Sequence, residues 1–194
     1  MYRKTLVAGT VLALFAGVSL AQSFDVVVVG SGGAGLSAAI MAKEAGSSVV
    51  VLEKMPYLGG NSNFASGGMN AACTKQQIAG GVTNDSPEIF YQDTMKGGHN
   101  LNNPALLKTL TENARYAEEW LVDLGAKFCF RKGRGGGQSV ARGHGPCDGS
   151  AVGPEVLRVL TARLKADKVE ILKNHQVVDI LMKDGAVAGV MVKI

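Results

Sequence analysis

The apolar residues of the chain fall into short unbroken runs that are separated by segments with helical spacing. Val26–Val29 is a run of valines, and Ser48–Glu53 contains a second β-branched run. Such runs are typical of strands that are buried on both faces of a parallel sheet. Between them, Gly35–Gly46 has small and apolar residues at helical spacing and ends in a glycine. The pattern predicts a βαβ unit, in which a helix joins two parallel strands.

The rest of the chain continues the alternation of helices and strands. Proline in the first turn, where its missing N–H is not needed, indicates the start of two helices. The segment "QVVDILMKDGAVAGVMVKI" has two alternating runs joined by Lys183-Asp184-Gly185, which predicts a β-hairpin. The predicted helices are Pro87–Lys96, Pro104–Leu124 and Glu155–Lys165, and the predicted strand is Val169–Leu172.

The predicted helix Pro104–Leu124 carries an apolar stripe that we expect to face the core. Two glycine-rich segments, Tyr57–Asn70 and Gly133–Ser150, read as irregular loops. The residues of the stripe are Leu106, Leu107, Leu110, Ala114, Ala117 and Leu121.

The first residues have the pattern of a signal peptide. Arg3 and Lys4 precede the apolar stretch Leu6–Val18, and Ser19-Leu20-Ala21 is a small-x-small cleavage site. The alternative is a membrane anchor, for which the apolar stretch is short, since a span needs about 20 residues. We therefore predict a signal peptide over residues 1–21, cleavage after Ala21, a Sec-type route and a periplasmic mature chain with no membrane span.

Composition narrows the class of protein only slightly. A chain of 194 residues with 46% hydrophobic and 19% charged residues is suited to one domain with a core. The formal charge of +4 does not indicate nucleic-acid binding, because the only tight basic run is Arg131, Lys132 and Arg134, which we expect to be a solvated loop.

The cysteine pattern offers neither a haem site nor a metal site. The cysteines are Cys73, Cys129 and Cys147, and their odd number leaves at least one unpaired, or all free. None lies in a C-x-x-C-H motif or has the spacing of metal ligands. We therefore expect no c-type haem and no metal in this chain.

Gly30-x-Gly32-x-x-Gly35 follows the first predicted strand and opens the helix. The first glycine permits a tight turn, the second lets a diphosphate approach the backbone, and the third lets helix and strand pack closely. The helix N-terminus offers free N–H groups to the phosphates. Glu53 ends the next strand, 18 residues after Gly35 (53 − 35), where a carboxylate accepts hydrogen bonds from a ribose. The pattern predicts a dinucleotide site.

The residues after Glu53 favour FAD over NAD. An NAD-binding domain usually proceeds to another helix and strand, but this chain enters "EKMPYLGGNSNFASGGMNAA". A loop of glycines and small polar residues can lie against a bulky flat ring, since its main-chain amides reach the ring where side chains are small.

Three segments carry a family resemblance: "VVVVGSGGAGLSAAI", "VLEKMPYLGGNSNFASGGMNAA" and "DTMKGGHNLNNPALLKTL". From Phe24 to the C-terminus the chain resembles the soluble periplasmic fumarate reductases of the flavocytochrome c type, within the succinate dehydrogenase/fumarate reductase flavoprotein family. The resemblance implies an α/β, Rossmann-like FAD-binding domain, with a parallel sheet, flanking helices and a terminal β-hairpin. Residues 22–194 would be its N-terminal part, incomplete at the C-terminus and without the capping, substrate-binding domain.

The resemblance also implies which residues hold FAD. Gly67 and Gly68 would lie beside the flavin ring, and the backbone of Gly67 would touch the substrate. The strand near Val177–Val178 would contact the adenine through main-chain atoms. The remaining implied FAD-binding residues are Gly30, Ser31, Gly32, Gly33, Ala34, Gly35, Glu53, Lys54, Gly60, Asn61, Ser62, Met69 and Asn70.

The implied reaction is reduction of the C=C bond of a fumarate-like enoic acid by hydride from flavin N5. Asn61 stands where membrane-bound relatives attach flavin through histidine, so we expect non-covalent FAD. Without C-x-x-C-H motifs, electrons would come from a separate donor such as a multihaem cytochrome c or a quinol system. The family's proton donor and substrate-clamping residues have no counterpart here, so we assign no catalytic residue to this chain.

Some alternatives stay open. Arg142 and His144 lie in "SVARGHG", which resembles a family loop near the ring, although for His99 and His144 we favour surface or structural roles. The chain could be a non-catalytic truncated FAD-binding fragment. It could also be another flavoenzyme of the same scaffold, such as a urocanate reductase, a ketosteroid dehydrogenase or an aspartate oxidase.

Overall fold

A computed structural model of the chain describes residues 22–194 and, as backbone only, the strand Lys4–Ala8. The helices are α1 (Gly33–Glu44), α2 (Lys75–Ala79), α3 (Pro87–Gly97), α4 (Pro104–Asp123), α5 (Val152–Ala166) and a 3₁₀ turn, Gly60–Phe64. The strands are β1 (Lys4–Ala8), β2 (Val26–Val29), β3 (Val49–Leu52), β4 (Met69–Asn70), β5 (Phe128–Arg131), β6 (Gly143–Pro146), β7 (Glu170–Leu172), β8 (Gln176–Lys183) and β9 (Ala186–Lys193).

The chain divides into two compact units. The first comprises the residues up to Asn63 together with Leu160–Ile194, and the second comprises Phe64–Val159. The predicted signal peptide, residues 1–21, lies outside the described residues except for the backbone of β1, which pairs antiparallel with β9. None of the helices in the described part of the chain is long and apolar enough to cross a membrane.

The first unit contains the predicted βαβ arrangement. Strands β2, β3 and β7 form a parallel sheet in that order, with Val26 opposite Val49 in the register. All the residues of β3 are buried, as expected for a β-branched run in a covered sheet. Helix α1 buries Leu36 and Ile40. The predicted Rossmann-like fold, with its parallel sheet and flanking helix, is therefore confirmed.

The predicted hairpin is also present in the first unit. Strands β8 and β9 pair antiparallel, and Asp184 and Gly185, which join them, have φ values of 52° and 79°. Positive φ at both central residues is the backbone of a tight hairpin turn. Val177 is opposite Val192 and Asp179 is opposite Met191, so Val178 stands in a bulge between them.

The second unit is built on a small antiparallel sheet in the order β4-β6-β5. These strands and α2 were not predicted, because all of them are short and the glycines of β6 hide any alternation of apolar residues. Helices α3 and α4 begin as predicted, each with proline in its first turn. Ser86 and Asn103 cap them, because their side chains accept hydrogen bonds from the backbone N–H groups of the first turn.

The prediction for the apolar stripe of α4 is wrong for part of its length. Leu107, Ala114 and Leu121 are buried as expected, but Leu106 and Leu110 are 71% and 54% exposed, and Ala117 is exposed. The buried face is rotated towards polar positions and contains Thr111 and Glu118. An apolar pattern alone cannot place this face, because the helix packs through residues with small or mixed side chains.

The cysteines divide into a pair and a single thiol. Cys129 and Cys147 form a disulfide whose Cα atoms are 4.9 Å apart. Cys73 is free and half-buried. Of the possibilities left open by the odd number, the structure therefore has one pair and one thiol.

Candidate functional site

The turn between β2 and α1 has the geometry that its glycines predict. Gly30 has φ +96°, a conformation that a residue with a side chain rarely adopts, and its N–H donates to the carbonyl of Leu52 at 2.8 Å. A Cβ at Gly35 would collide with the carbonyl group of Gly30, whose carbon would be 3.1 Å away. The first glycine therefore makes the turn, and Gly35 allows the start of the helix to lie against it.

Glu53 closes the turn from the end of β3. Its Oε2 accepts hydrogen bonds from the N–H of Ser31 at 2.9 Å and from the hydroxyl of Ser31 at 2.5 Å. Its Oε1 accepts one from the N–H of Met55 at 2.8 Å. These hydrogen bonds hold the carboxylate against the turn at the end of β3, where the dinucleotide pattern predicts the ribose.

The charged form of Glu53 is favoured although the side chain is only 6% exposed. Burial opposes ionisation, but the hydrogen bonds from Ser31 and from the backbone of Met55, Lys54 and Ser31 outweigh it and lower the pKa of this carboxyl below its ordinary value. Glu53 is therefore a carboxylate near neutral pH, which is the form that accepts from a diol.

The N-terminus of α1 lacks a cap of its own, because Gly32 has no side chain and the first turn has no acidic residue. Ser62 from the 3₁₀ turn supplies a partner, since its Oγ accepts from the N–H of Gly33 at 3.0 Å. A Cβ at Gly32 would lie 3.6 Å from the same Oγ. Backbone N–H groups, a serine hydroxyl and the positive end of a helix dipole thus meet at one point. This donor set fits a diphosphate.

Other predicted residues of the first unit lie on its surface or in its core. Lys54 and Asn61 are exposed, and Gly60 begins the 3₁₀ turn with φ +48°. The side chain of Val177 packs against the buried cluster that contains Val50 and Leu52. The bulge at the next residue leaves Val178 outside the ladder, which is compatible with the predicted main-chain contact to adenine.

The Gly67-Gly68 pair and the residues after it belong to the second unit. Both glycines are exposed, and β4, which follows them, pairs with β6. A Cβ at Gly68 would lie 2.7 Å from the carbonyl oxygen of His144, whereas a Cβ at Gly67 would meet nothing within 4 Å. Gly68 is therefore required by the packing of its own unit, and Gly67 is not.

Arg142 and His144 are buried in the core of the second unit. Nη2 of Arg142 pairs with Oδ1 of Asp85 at 2.7 Å, Nη1 pairs with Oδ2 of Asp93 at 2.8 Å, and the guanidinium lies over the ring of Phe90. Its side chain is fully buried. The network joins the loop before β6 to α3 and to Asp85, which precedes the N-cap of α3, so we assign Arg142 a structural role. Asp85 and Asp93 were not singled out from sequence, because no motif or spacing links them.

His144 has a defined tautomer. Its Nδ1 is 3.0 Å from the carbonyl oxygen of Arg142, which can only accept, so Nδ1 donates. The hydroxyl of Thr74, which accepts from the N–H of Gln77, is then free to donate to Nε2 at 2.7 Å. Burial is the main influence on the ring and lowers the pKa of His144, so it is neutral at physiological pH. His99 lies exposed after α3, with φ 53°.

Comparison with known proteins shows the family to which the chain belongs. The family model for the FAD binding domain matches residues 25–194. The chain is 50% identical over 169 residues to NADH:fumarate oxidoreductase of Klebsiella pneumoniae (strain 342), covering 87% of this chain and 18% of that protein. It is 46% identical over 173 residues to fumarate reductase (cytochrome) of Shewanella frigidimarina, covering 89% of this chain and 30% of the relative.

A solved structure is similar over the same part of the chain. The open conformation of a flavocytochrome c3 fumarate reductase matches with a TM-score of 0.81 and 40% sequence identity, over 87% of this chain and 30% of that one. The chain thus spans less than a third of the length of these proteins. The chain belongs to the FAD binding domain family of fumarate reductase-type flavoproteins, whose cofactor is FAD.

Proposed function

We propose that this chain is the FAD-binding part of an oxidoreductase that reduces the C=C bond of a small enoic acid such as fumarate. The observation that carries the proposal is the arrangement at the ends of β2 and β3. There, the ionised Glu53 is held by hydrogen bonds from Ser31 and Met55, and the N–H of Gly33 at the start of α1 donates to Ser62. The fumarate reductases among the relatives support the reaction.

FAD, when bound, supplies hydride chemistry at its ring, and the residues of this chain bind and orient it. The amides of Gly32 and Gly33 and the hydroxyl of Ser62 would take the diphosphate. Glu53 would accept from the ribose, and Ser31 would hold Glu53 in place through its two donated hydrogen bonds. The glycines at 67 and 68 would present bare backbone to the ring, with Gly67 also reaching the substrate.

We propose that FAD is held without a covalent bond. Attachment to protein needs a nucleophilic side chain near the ring, and Asn61 is an amide, which is not one. The backbone and hydroxyl donors of the first unit suit reversible binding. Acid precipitation of the flavin-loaded protein should leave the flavin in the supernatant, and flavin that stays with the polypeptide would contradict the proposal.

We propose that the protein works in the periplasm with a separate electron donor. The Cys129–Cys147 disulfide supports an oxidising compartment, since disulfides persist outside the reducing cytosol. The predicted signal peptide agrees with export. Among the relatives, one name includes NADH and another a cytochrome. We favour a donor such as a multihaem cytochrome c, because NADH is a cytosolic reductant.

Two experiments test this function. The protein as its gene encodes it, loaded with FAD, should oxidise reduced methyl viologen on addition of fumarate under anaerobic conditions. Failure with fumarate, urocanate and other enoic acids would refute the reaction. Anaerobic mixing with reduced periplasmic cytochrome c, or with NADH, identifies the electron donor by which of the two is oxidised. Oxidation of NADH but not of the cytochrome would refute the proposal that a cytochrome is the donor.

A further inference from the structure

Arg131, the last residue of β5, lies across a surface of glycines in the second unit. Its side chain is half-buried, unlike those of the exposed Lys132 and Arg134. A Cβ at Gly145 would lie 2.7 Å from Cζ of Arg131, and a Cβ at Gly68 would lie 3.6 Å from its Nη1. The guanidinium therefore occupies the space above Gly145 and reaches the edge of Gly68. The expectation that this basic run is entirely a solvated loop is wrong for Arg131.

The register of the sheet explains why the side chain lies there. Arg131 is opposite Gly143, which in turn is opposite Asn70, and Cys129 is opposite Gly145. Alternate residues of a strand share a face, so Gly68, Asn70, Gly143 and Gly145 line the same face as Arg131. Glycine at three of these positions leaves a bare surface on which a long side chain can lie. The sheet thus directs the guanidinium towards the Gly67-Gly68 pair.

Among the residues that the structure describes, the guanidinium has no acidic partner. Within the described part of the chain it forms no ion pair and no side-chain hydrogen bond, whereas Arg142, Arg158 and Arg163 all pair with carboxylates. The sequence contains no Asp or Glu between Asp123 and Asp148. A half-buried guanidinium without a carboxylate partner attracts an anion.

We propose that Arg131 is a substrate-binding residue whose guanidinium holds a carboxylate of the enoic acid beside Gly67. This inference rests on the proposed function, which puts the substrate against the backbone of Gly67. Arginine suits the role because its planar fork can donate two parallel hydrogen bonds to a carboxylate. The neighbouring glycines keep side chains out of the space between the guanidinium and the substrate.

The test compares Arg131→Gln with Lys132→Gln and Arg134→Gln in the FAD-loaded protein as its gene encodes it. All three changes remove one positive charge from the same segment, but only the first acts on the side chain above Gly145. Each variant is assayed for fumarate reduction with reduced methyl viologen, for fumarate binding by flavin difference spectra, and for flavin potential. Arg131→Lys and Gly145→Ala complete the set, the latter displacing the guanidinium without removing its charge.

Arg131→Gln should raise the KM and the dissociation constant for fumarate about tenfold or more, as expected for a lost charged hydrogen bond. Gly145→Ala should do the same, Arg131→Lys should recover part of the loss, and both control variants should stay within about twofold of the unsubstituted protein. Monomethyl fumarate, which lacks one carboxylate, should lose less affinity than fumarate in Arg131→Gln.

A KM for fumarate in Arg131→Gln equal to that of the controls would overturn the inference. A changed flavin potential with unchanged fumarate binding would also overturn it, because the guanidinium would then act on the flavin. If Arg131→Gln does not retain flavin, the KM and fumarate binding of Gly145→Ala and Arg131→Lys serve as the test instead. Values equal to those of the controls in both variants would overturn the inference. If the unsubstituted protein reduces no enoic acid, the proposed function itself fails, and the two failures are thus distinguishable.

Discussion

The carbonyl oxygen of His144 lies 2.7 Å from the position that a Cβ atom would take at Gly68. Any residue other than glycine at position 68 would therefore clash with this oxygen. This relationship ties the glycine pair after the 3₁₀ turn to the buried core of the second unit. His144 is itself fixed by Thr74 and by the carbonyl of Arg142. The position of the Gly68 backbone therefore depends on a neutral, buried histidine.

Gly68→Ala should destabilise the protein, and Gly67→Ala should not. The methyl group at 68 must push the β6 backbone away, at a cost of about 1–3 kcal/mol in the free energy of unfolding. The methyl group at 67 meets nothing within 4 Å. Thermal unfolding of both variants without substrate measures this. Equal stability of the two variants would contradict the geometry.

Gly35→Ala should abolish FAD binding, and Gly33→Ala should leave the fold intact. A side chain at 35 collides with the carbonyl of Gly30, whereas one at 33 lies in ordinary contact, 3.5 Å from the Ser62 hydroxyl. Circular dichroism and FAD fluorescence quenching give the two readouts. A folded Gly35→Ala variant that binds FAD normally would show that helix and turn are not as close as described.

Glu53→Gln should weaken FAD binding and lower stability near pH 7 by about 1–3 kcal/mol, since an amide cannot accept from both Ser31 and Met55. The folded-state pKa of Glu53 is lowered, so its contribution is present above the ordinary pKa and is lost as the pH falls through the folded value. The difference between variant and unsubstituted protein should therefore shrink in acid. Denaturant unfolding from pH 7 to pH 3 checks it, and a constant difference would contradict it.

Glu118→Gln should stabilise the protein at pH 8. Burial is the main cause that raises the pKa of this carboxyl from 4.5 to about 7, and its Oε1 has no hydrogen-bond partner among the described residues. The folded protein therefore holds a proton that the unfolded chain releases, so stability falls as the pH rises from about 4.5 towards 7 and stays lower above it. Glutamine, which does not ionise, should recover up to about 3 kcal/mol.

Glu119→Gln is the matched control for that prediction. This neighbour is ionised and accepts from Arg115 at 3.1 Å and from the backbone of Lys75. Its replacement should not stabilise the protein at pH 8. Unfolding at pH 5 and pH 8 separates the two carboxyls, and a pH-independent effect of Glu118→Gln would contradict the buried, raised-pKa carboxyl.

One thiol per chain should react with Ellman's reagent in denaturant under non-reducing conditions. Cys129 and Cys147 are paired, and Cys73 is free. Prior reduction should raise the number to three, because all the cysteines are then thiols. Three reactive thiols in protein isolated from the periplasm without reductant would contradict the pairing and weaken the case for export.

The sequence predicted the first unit well because its signals are local. A valine run, a glycine turn and a Glu at the end of the next strand each follow directly from backbone geometry, and β2, α1 and β3 lie within two residues of expectation. The hairpin was also predictable from the sequence, because Asp184-Gly185 is a typical sequence for a tight hairpin turn.

The second unit was less predictable because its contacts join residues far apart in the chain. Strands β4, β5 and β6 are two to four residues long, and β6 contains glycines, so they show no periodicity. No sequence motif predicts the ion pair between Arg142 and Asp85, which are 57 positions apart. The contact of the Arg131 side chain with Gly145 is equally without a sequence signal. The exposed side of α4 likewise follows from packing, which the apolar stripe did not reveal.

In the proposed function, the backbone at the start of α1 holds the diphosphate of FAD while Glu53 holds its ribose. A crystal structure of the protein with FAD tests it most directly. We expect diphosphate oxygens within hydrogen-bond distance of the amides at Gly32–Gly33, and a ribose hydroxyl on the carboxylate of Glu53. FAD bound elsewhere, or a turn filled by side chains in the presence of saturating FAD, would contradict it.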